Sequence, residues 1–164
     1  MKKLLITAVM VWALSGCAGE ETLETIADDW IQPVMAAPGQ IFVVLPQETA
    51  APVLGGEMEQ IYFGENYEIV VETLNSGDLE ETIRHISGYG KEDLTVMTLQ
   101  QENAARYEFV WACAGENGDW LGRAAILDDG QYHYCLSVLR PVQAETASKV
   151  CWDDVFRSFS LVGA

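Results

Sequence analysis

Behind Lys2 and Lys3 the chain opens with an apolar block over residues 4–14, and beyond Gly19 the pattern changes to short alternations and helical stripes. Leu23, Ile26, Ala27, Trp30 and Ile31 recur at helical offsets opposite Glu24, Asp28 and Asp29. They predict an amphipathic helix that packs on the domain and ends at Pro33 and Pro38-Gly39. Its acidic outer side suits it poorly to lying on a membrane, because such helices favour Lys and Arg.

Residues 41–45 predict a strand closed by Pro46, and 47–56 a loop. Residues 59–63 and 67–74 predict a hairpin, with Gly64 and Asn66 able to take the positive φ of a tight turn. A helix follows, capped by Ser76 or Asp78, with Leu79, Ile83 and Ile86 on its apolar face and Gly88 as its left-handed stop. After Gly90 a second β layer is expected: 94–99, 106–113, 120–127 and 132–139, turning at 116–119 and 128–131 and ended by Pro141. The last stretch, 145–159, sets Ala147, Cys151, Val155 and Phe159 on one helical face, with Trp152 and Phe156 beside it. That helix should lie across the meander. The fold class expected is α+β, an antiparallel sheet of two hairpin or meander blocks packed against two helices.

The apolar block is eleven residues, short of the roughly 18 to 20 that span a bilayer. With its positive flank and small residues at its end it reads as a secretory signal. Leu14-Ser15-Gly16-Cys17 resembles the lipobox of bacterial lipoproteins. The resemblance implies that residues 1–16 are removed and that Cys17 becomes residue one, carrying diacylglycerol and acyl chains. The product would be membrane-anchored and face away from the cytoplasm, with 17–39 as tether and short helix and 40–164 as one domain. Ala18-Gly19 carries no Asp retention signal that would decide between inner and outer membrane.

The order of strands, helix, meander and closing helix, ending in Trp152-Asp-Asp-Val-Phe-Arg-Ser-Phe159, resembles the PsbP-like and DcrB-like α/β sandwich families over about residues 40–161. That resemblance implies a non-enzymatic extracytoplasmic accessory or assembly protein. It carries no functional residues across.

Charge narrows the partners. Without Lys2 and Lys3, seven cationic residues stand against 25 acidic ones, a balance of −18. Such a chain is repelled by phosphate backbones and anionic headgroups, so nucleic acid is not an expected partner.

Three cysteines follow Cys17. With two-residue turns, Trp111 would face Ala124 and Ala124 would face Cys135. Cys113 and Cys135 then share a sheet face across a middle strand, beyond the roughly 7 Å limit for a disulfide. Cys151, expected on the core face of the last helix, could reach either one; the simpler alternative is three small buried thiols.

His85 and His133 are the chain's two imidazoles. His133 with Cys135 lacks the further ligands zinc requires, and no metal is expected. A Cys-His nucleophile pair built on His133 with Cys113 or Cys135 is conceivable. No Gly-x-Ser-x-Gly, Gly-rich phosphate loop or His-Glu-x-x-His occurs. The pairs Asp28-Asp29, Asp128-Asp129 and Asp153-Asp154 lack EF-hand spacing and read as helix faces and a hairpin turn. Trp111, Trp120, Tyr132 and Tyr134 cluster on the meander, where they could line a groove for a sugar or peptide or simply fill a core.

These readings converge on a lipid-anchored extracytoplasmic binding or assembly module, not an enzyme, with an envelope protein as partner. No cofactor is expected beyond the lipid on Cys17. Two rivals stand beside it: a small-ligand receptor at the aromatic cluster, and a thiol or hydrolytic enzyme around His133.

Overall fold

The computed structural model describes residues 36–100, 104–115, 118–143 and 150–162. Cys17 and the signal, the helix predicted over 23–31 and Ala147 in the predicted closing helix lie outside the described residues. The chain divides into two units, Met1–Met35 and Ala36–Ala164, and the described residues belong to the second.

Among the described residues of this unit are nine strands, two α-helices and a 3-10 turn at Lys91–Asp93. The strands are β1 (Ile41–Phe42), β2 (Leu54–Gly55), β3 (Glu59–Gly64), β4 (Tyr67–Asn75), β5 (Met97–Gln100), β6 (Ala105–Gly115), β7 (Gly118–Asp128), β8 (Tyr132–Pro141) and β9 (Ser160–Leu161). The helices are α1 (Leu79–Ser87) and α2 (Trp152–Ser158). β2 to β8 form one antiparallel sheet in the order β2-β3-β4-β8-β7-β6-β5. The fold is α+β, as the hydrophobic pattern predicts. The two β blocks are not separate layers, however, because β8 pairs along β4 from Glu68–Leu139 to Asn75–Tyr132. That places the most continuously buried strand, β8, next to β4 in the middle of the sheet.

Alternation sends the two faces to different helices. Ile69, Val71, Ala125, Leu127, Tyr134, Leu136 and Val138 point to α2, against Val155, Phe156 and Phe159. Phe109, Trp111, Ala124, Ile126 and Cys135 point to α1, against Ile83, with Leu79 and Ile86 beside it. α1 begins at Asp78, whose Oδ1 accepts from Glu80 N at 2.9 Å, and stops at Gly88, φ 78°.

Several local expectations are corrected. β1 is two residues long and pairs with β9 outside the main sheet, while Val44 N–H donates to Ser158 Oγ at 2.8 Å instead of to a ladder. The segment from Ala36 is thereby a strap across the α2 face. The strand expected at 94–99 begins only at Met97, where its pairing with β6 starts; Leu94 still closes the 3-10 turn of Lys91–Asp93 by donating to the Lys91 carbonyl. Neither Gly64 nor Asn66 has positive φ. Gly64 instead provides room, since a Cβ there would lie 2.0 Å from the ring of its cross-strand partner Tyr67.

Both meander registers are displaced by two residues, which preserves the faces. Trp111 pairs with Gly122, Ala124 with Ser137 and Ile126 with Cys135. The indole of Trp111 covers Gly122, where an added Cβ would meet it at 2.1 Å, and Trp120 covers Gly115 in the same way at 2.5 Å. An aromatic ring over a cross-strand glycine fills the gap the missing side chain leaves. The β7–β8 turn closes from Asp129 N–H to the Tyr132 carbonyl, 3.3 Å, around Gly130 at φ 87°.

The closing helix has its first turn at Trp152. Cys151 is therefore its exposed N-cap residue, not part of the core face, and Cys113 is half-buried. Cys135 alone among the three is buried, and all three are free thiols.

Candidate functional site

Two polar clusters lie within the sheet's two faces. Under α1, Thr82 Oγ1 is 2.7 Å from His133 Nδ1, and His133 Nε2 is 3.6 Å from Asp128 Oδ2. Alongside, His85 Nε2 lies 3.0 Å from Glu72 Oε2. Hydroxyl, imidazole and carboxylate have the composition of an acid–base relay. Thr82 and His133 are only 6% and 1% exposed, so the arrangement joins α1 to β8 rather than meeting a substrate. Cys135 does not join it: its Sγ contacts the His133 carbonyl at 3.8 Å, not the ring. Burial, reinforced by Glu72, holds the Cys135 thiol well above its ordinary pKa, the reverse of what a nucleophilic thiolate requires.

Under α2 two arginines pair with carboxylates, Arg106 buried and Arg123 partly exposed. Arg106 on β6 donates from Nε to Glu108 Oε1 at 2.7 Å, from NH1 to the Phe159 carbonyl at 3.0 Å and from NH2 to the Phe156 carbonyl at 2.7 Å. A guanidinium thus closes the C-terminal end of α2, where carbonyls lack intrahelical partners. Arg123 on β7 donates to Glu108 Oε2 at 3.1 Å and to Asp153 Oδ1, in the first turn of α2, at 2.6 Å. Its guanidinium lies over the Phe156 ring, 4.2 Å from the centroid. Burial alone would lower the Arg123 pKa, but the hydrogen bonds to Asp153 and Glu108 outweigh it and the pKa is raised. The same contact lowers that of Asp153. A seven-residue helix has little stability of its own, and these two arginines hold it at both ends.

Beyond α2 no described element covers this face. Met97, Leu99 and Val110 are 58%, 52% and 56% exposed. Beside them is a cavity of about 280 Å³, walled by Met97, Val110, Leu121, Arg123, Arg140 and Trp152. Trp152 Nε1 is buried without a hydrogen-bond partner, the one such side-chain nitrogen or oxygen among the described residues.

The four aromatics singled out from the sequence do not share a groove. Tyr132 and Tyr134 are buried under α2, with ring centroids 6.1 Å apart, while Trp111 is buried under α1 and packs on Phe109 at 5.7 Å. Trp120, in phase with Gly122 and Ala124, is on the α1 side and half-buried. The tyrosine hydroxyls work locally. Tyr132 donates to the Ala36 carbonyl at 2.8 Å; Tyr134 accepts from Gly39 N–H at 2.8 Å and donates to Asp129 Oδ2 at 2.8 Å. Burial, then Asp129, raises the Tyr134 pKa. Burial would raise that of Asp129, but the Tyr132 and Gln131 amides and the Tyr134 hydroxyl hold it low.

Asp128 and Asp129 cap the β7–β8 turn, as its Asp-Gly sequence predicts. Asp153 and Asp154 pair with Arg123 and Arg157. Among the described residues no group of three or more His, Cys, Asp or Glu side chains is placed to hold a metal ion. Nor is any described helix long and apolar enough to cross a membrane. Arg106, Glu108, Arg123 and Trp152 were missed as a site in the sequence. The available signal was the Arg106-x-Glu108 spacing, which sets two charges on one face of a predicted strand. No protein-family model matches the chain, and no curated protein is significantly similar to it in sequence.

Proposed function

We propose that the protein is a lipid-anchored extracytoplasmic module, tethered at Cys17, that binds another envelope component on the uncovered half of its α2 face and positions it without catalysis. The observation that carries this reading is the contiguity of Met97, Leu99 and Val110, each more than half exposed on a face whose other half is core. Exposed apolar patches on an otherwise strongly charged chain mark interaction surfaces. The resemblance to PsbP-like and DcrB-like proteins agrees with an accessory role, and the lipobox with the anchor.

The test is photo-crosslinking from position 99 of the acylated protein in its native membrane. One stoichiometric partner, confirmed by reciprocal purification and lost in Val110→Glu, is the expected result; unchanged capture in Val110→Glu would overturn the reading. Acyl labelling should disappear in Cys17→Ala, and labelling that persisted would remove the anchor.

A small-ligand receptor is a second reading. The cavity beside the patch, rather than the aromatic cluster, is the observation that favours it.

A further inference from the structure

We propose that β6 beyond the end of β5, at Val110–Gly115, is a strand-addition site that takes an extended, basic segment of a protein partner. The inference rests on a partner binding at the patch of Met97, Leu99 and Val110, and adds the form in which it binds.

Unequal strand lengths create the site. β5 pairs with β6 only from Ala105 to Glu108, whereas β7 pairs with it as far as Gly115. Among the described residues Val110–Gly115 is therefore an edge of the sheet, about 20 Å long. Which backbone groups face that edge follows from alternation. Gly115 and Gly118 close a tight hairpin and so form a hydrogen-bonded pair, which means that the odd-numbered residues of β6 direct N–H and C=O at β7. Val110, Ala112 and Ala114 direct theirs outward. In agreement, the Ala112 carbonyl accepts from the hydroxyl of Tyr89, a residue in no strand, at 2.8 Å. Among the described residues the other outward N–H and C=O groups of these three have no backbone partner.

A bare edge is a template for another strand, and sheets protect theirs with charge, proline, bulges or brevity. The opposite edge is protected in this way, since β2 is Leu54–Gly55 alone and follows Pro52. Val110-Trp-Ala-Cys-Ala-Gly115 has neither charge nor proline, and its register against β7 runs without a bulge. Along it is a cavity of about 490 Å³, between Val110, Trp111 and Ala112 on one side and Tyr89, Asp93 and Leu94 on the other. Such a volume takes a few residues of extended chain, not a domain.

Charge decides which chain adds. Two copies of this protein, each of net charge −16, repel, and an edge this short does not by itself bury the roughly 800 Å² per partner of a stable interface. Asp93, exposed and lining the cavity, has no ion-pair partner among the described residues, so it favours a Lys or Arg on the incoming segment. Backbone hydrogen bonds to β6 supply affinity, and Val110 and Ala112, both exposed, meet alternate side chains of the added strand.

The test uses the full acylated protein in lipid nanodiscs and a blocked seven-residue peptide with Lys at each end and Val alternating with Thr between them, read by amide hydrogen exchange along β6. In the free protein the amides of Val110, Ala112 and Ala114 should exchange at least tenfold faster than those of Trp111 and Cys113. The peptide should slow the first three saturably and leave the other two unchanged. N-methylation of every second peptide amide should abolish binding in one phase and spare it in the other. Ala112→Pro removes an outward N–H without taking a bond from β7 and should abolish binding; the N-methylated peptides make the same test without altering the fold. A Glu-ended peptide should bind at least tenfold more weakly, a preference that Asp93→Asn reduces severalfold. Outward amides as protected as Trp111 in the free protein, slowing of both sets alike, indifference to the phase of N-methylation, or equal binding of Lys-ended and Glu-ended peptides would overturn the proposal, as would a dimer in sedimentation that protects the edge. Crosslinking from position 99 separates the two readings: a partner captured there that leaves the outward amides exchanging as in the free protein removes this proposal alone.

Discussion

The two faces of the sheet start from the same alternation of apolar residues and are finished differently. Under α1, Ile83 enters a closed core and the polar groups that accompany it, Thr82 and His133, are spent on each other. Under α2, a shorter helix covers the sheet in part, is held by arginines at both ends, and leaves Met97, Leu99 and Val110 to solvent. A buried polar pair costs stability when one member is removed, whereas a partly hydrated ion pair can be exchanged. The α1 face is thus closed over its polar pair and the α2 face left partly open to solvent, and composition alone does not distinguish them.

The sharpest way to break this contrast is to truncate the same kind of residue on each face. Ile83→Ala should lower unfolding free energy by about 2–5 kcal/mol in urea titration, because it opens a cavity in a closed core. Val110→Ala should stay within about 0.5 kcal/mol of the parent. Comparable losses would mean that the α2 face is as closed as its opposite.

Next in size is Gly122→Ala. The new methyl meets the Trp111 ring, and a loss of roughly 1–3 kcal/mol is expected. Near-UV circular dichroism should show a displaced indole; an unperturbed spectrum with parental stability would remove the ring-over-glycine account of the register.

Thr82→Val keeps the shape of the side chain and leaves His133 Nδ1 unpaired. A cost of about 1–2 kcal/mol in urea is expected, together with faster amide exchange in α1. No change would mean that the pair does not fasten α1.

The smallest effect concerns acid. Asp129 has a lowered folded-state pKa, so the native state binds fewer protons there than the unfolded chain. Its contribution is complete above the ordinary carboxylate value of 3.8 and is lost as pH falls through the lower folded value. Parent and Asp129→Asn melting temperatures should therefore converge as pH drops below about 4. A constant gap across that range would show that Asp129 does not act through its charge.

Much of this architecture was legible from local pattern. Asp78 and Gly88 mark α1 because capping chemistry is local, and the strands of the meander announce themselves by alternation. The single sheet was not legible: whether β8 pairs with β4 or stacks over it depends on partners far away in sequence. Registers failed by two for a related reason. Turn length predicts them only if a hairpin takes its default loop, and here the decision lies with Trp111 on Gly122 and with Asp129 closing around Gly130. The aromatics were visible as a cluster, but residues 111 and 134 have opposite parity within their registers and so belong to different cores. The arginine site was obscured because each charge reads individually as a solvated strand residue; only the placement of α2 brings Arg106, Arg123 and Asp153 together.

The strap from Ala36 onward has a mechanical consequence. A chain pulled from its N-terminal side delivers load first to the hydroxyl of Tyr132 at Ala36 and then to that of Tyr134 at Gly39, before β1 and its pairing with β9 are stressed. Both tyrosines stand on β8, in the middle of the sheet, and Tyr134 is braced by Asp129 at the hairpin tip. Tension from a tether would therefore be borne by the central strand of the sheet instead of peeling an edge.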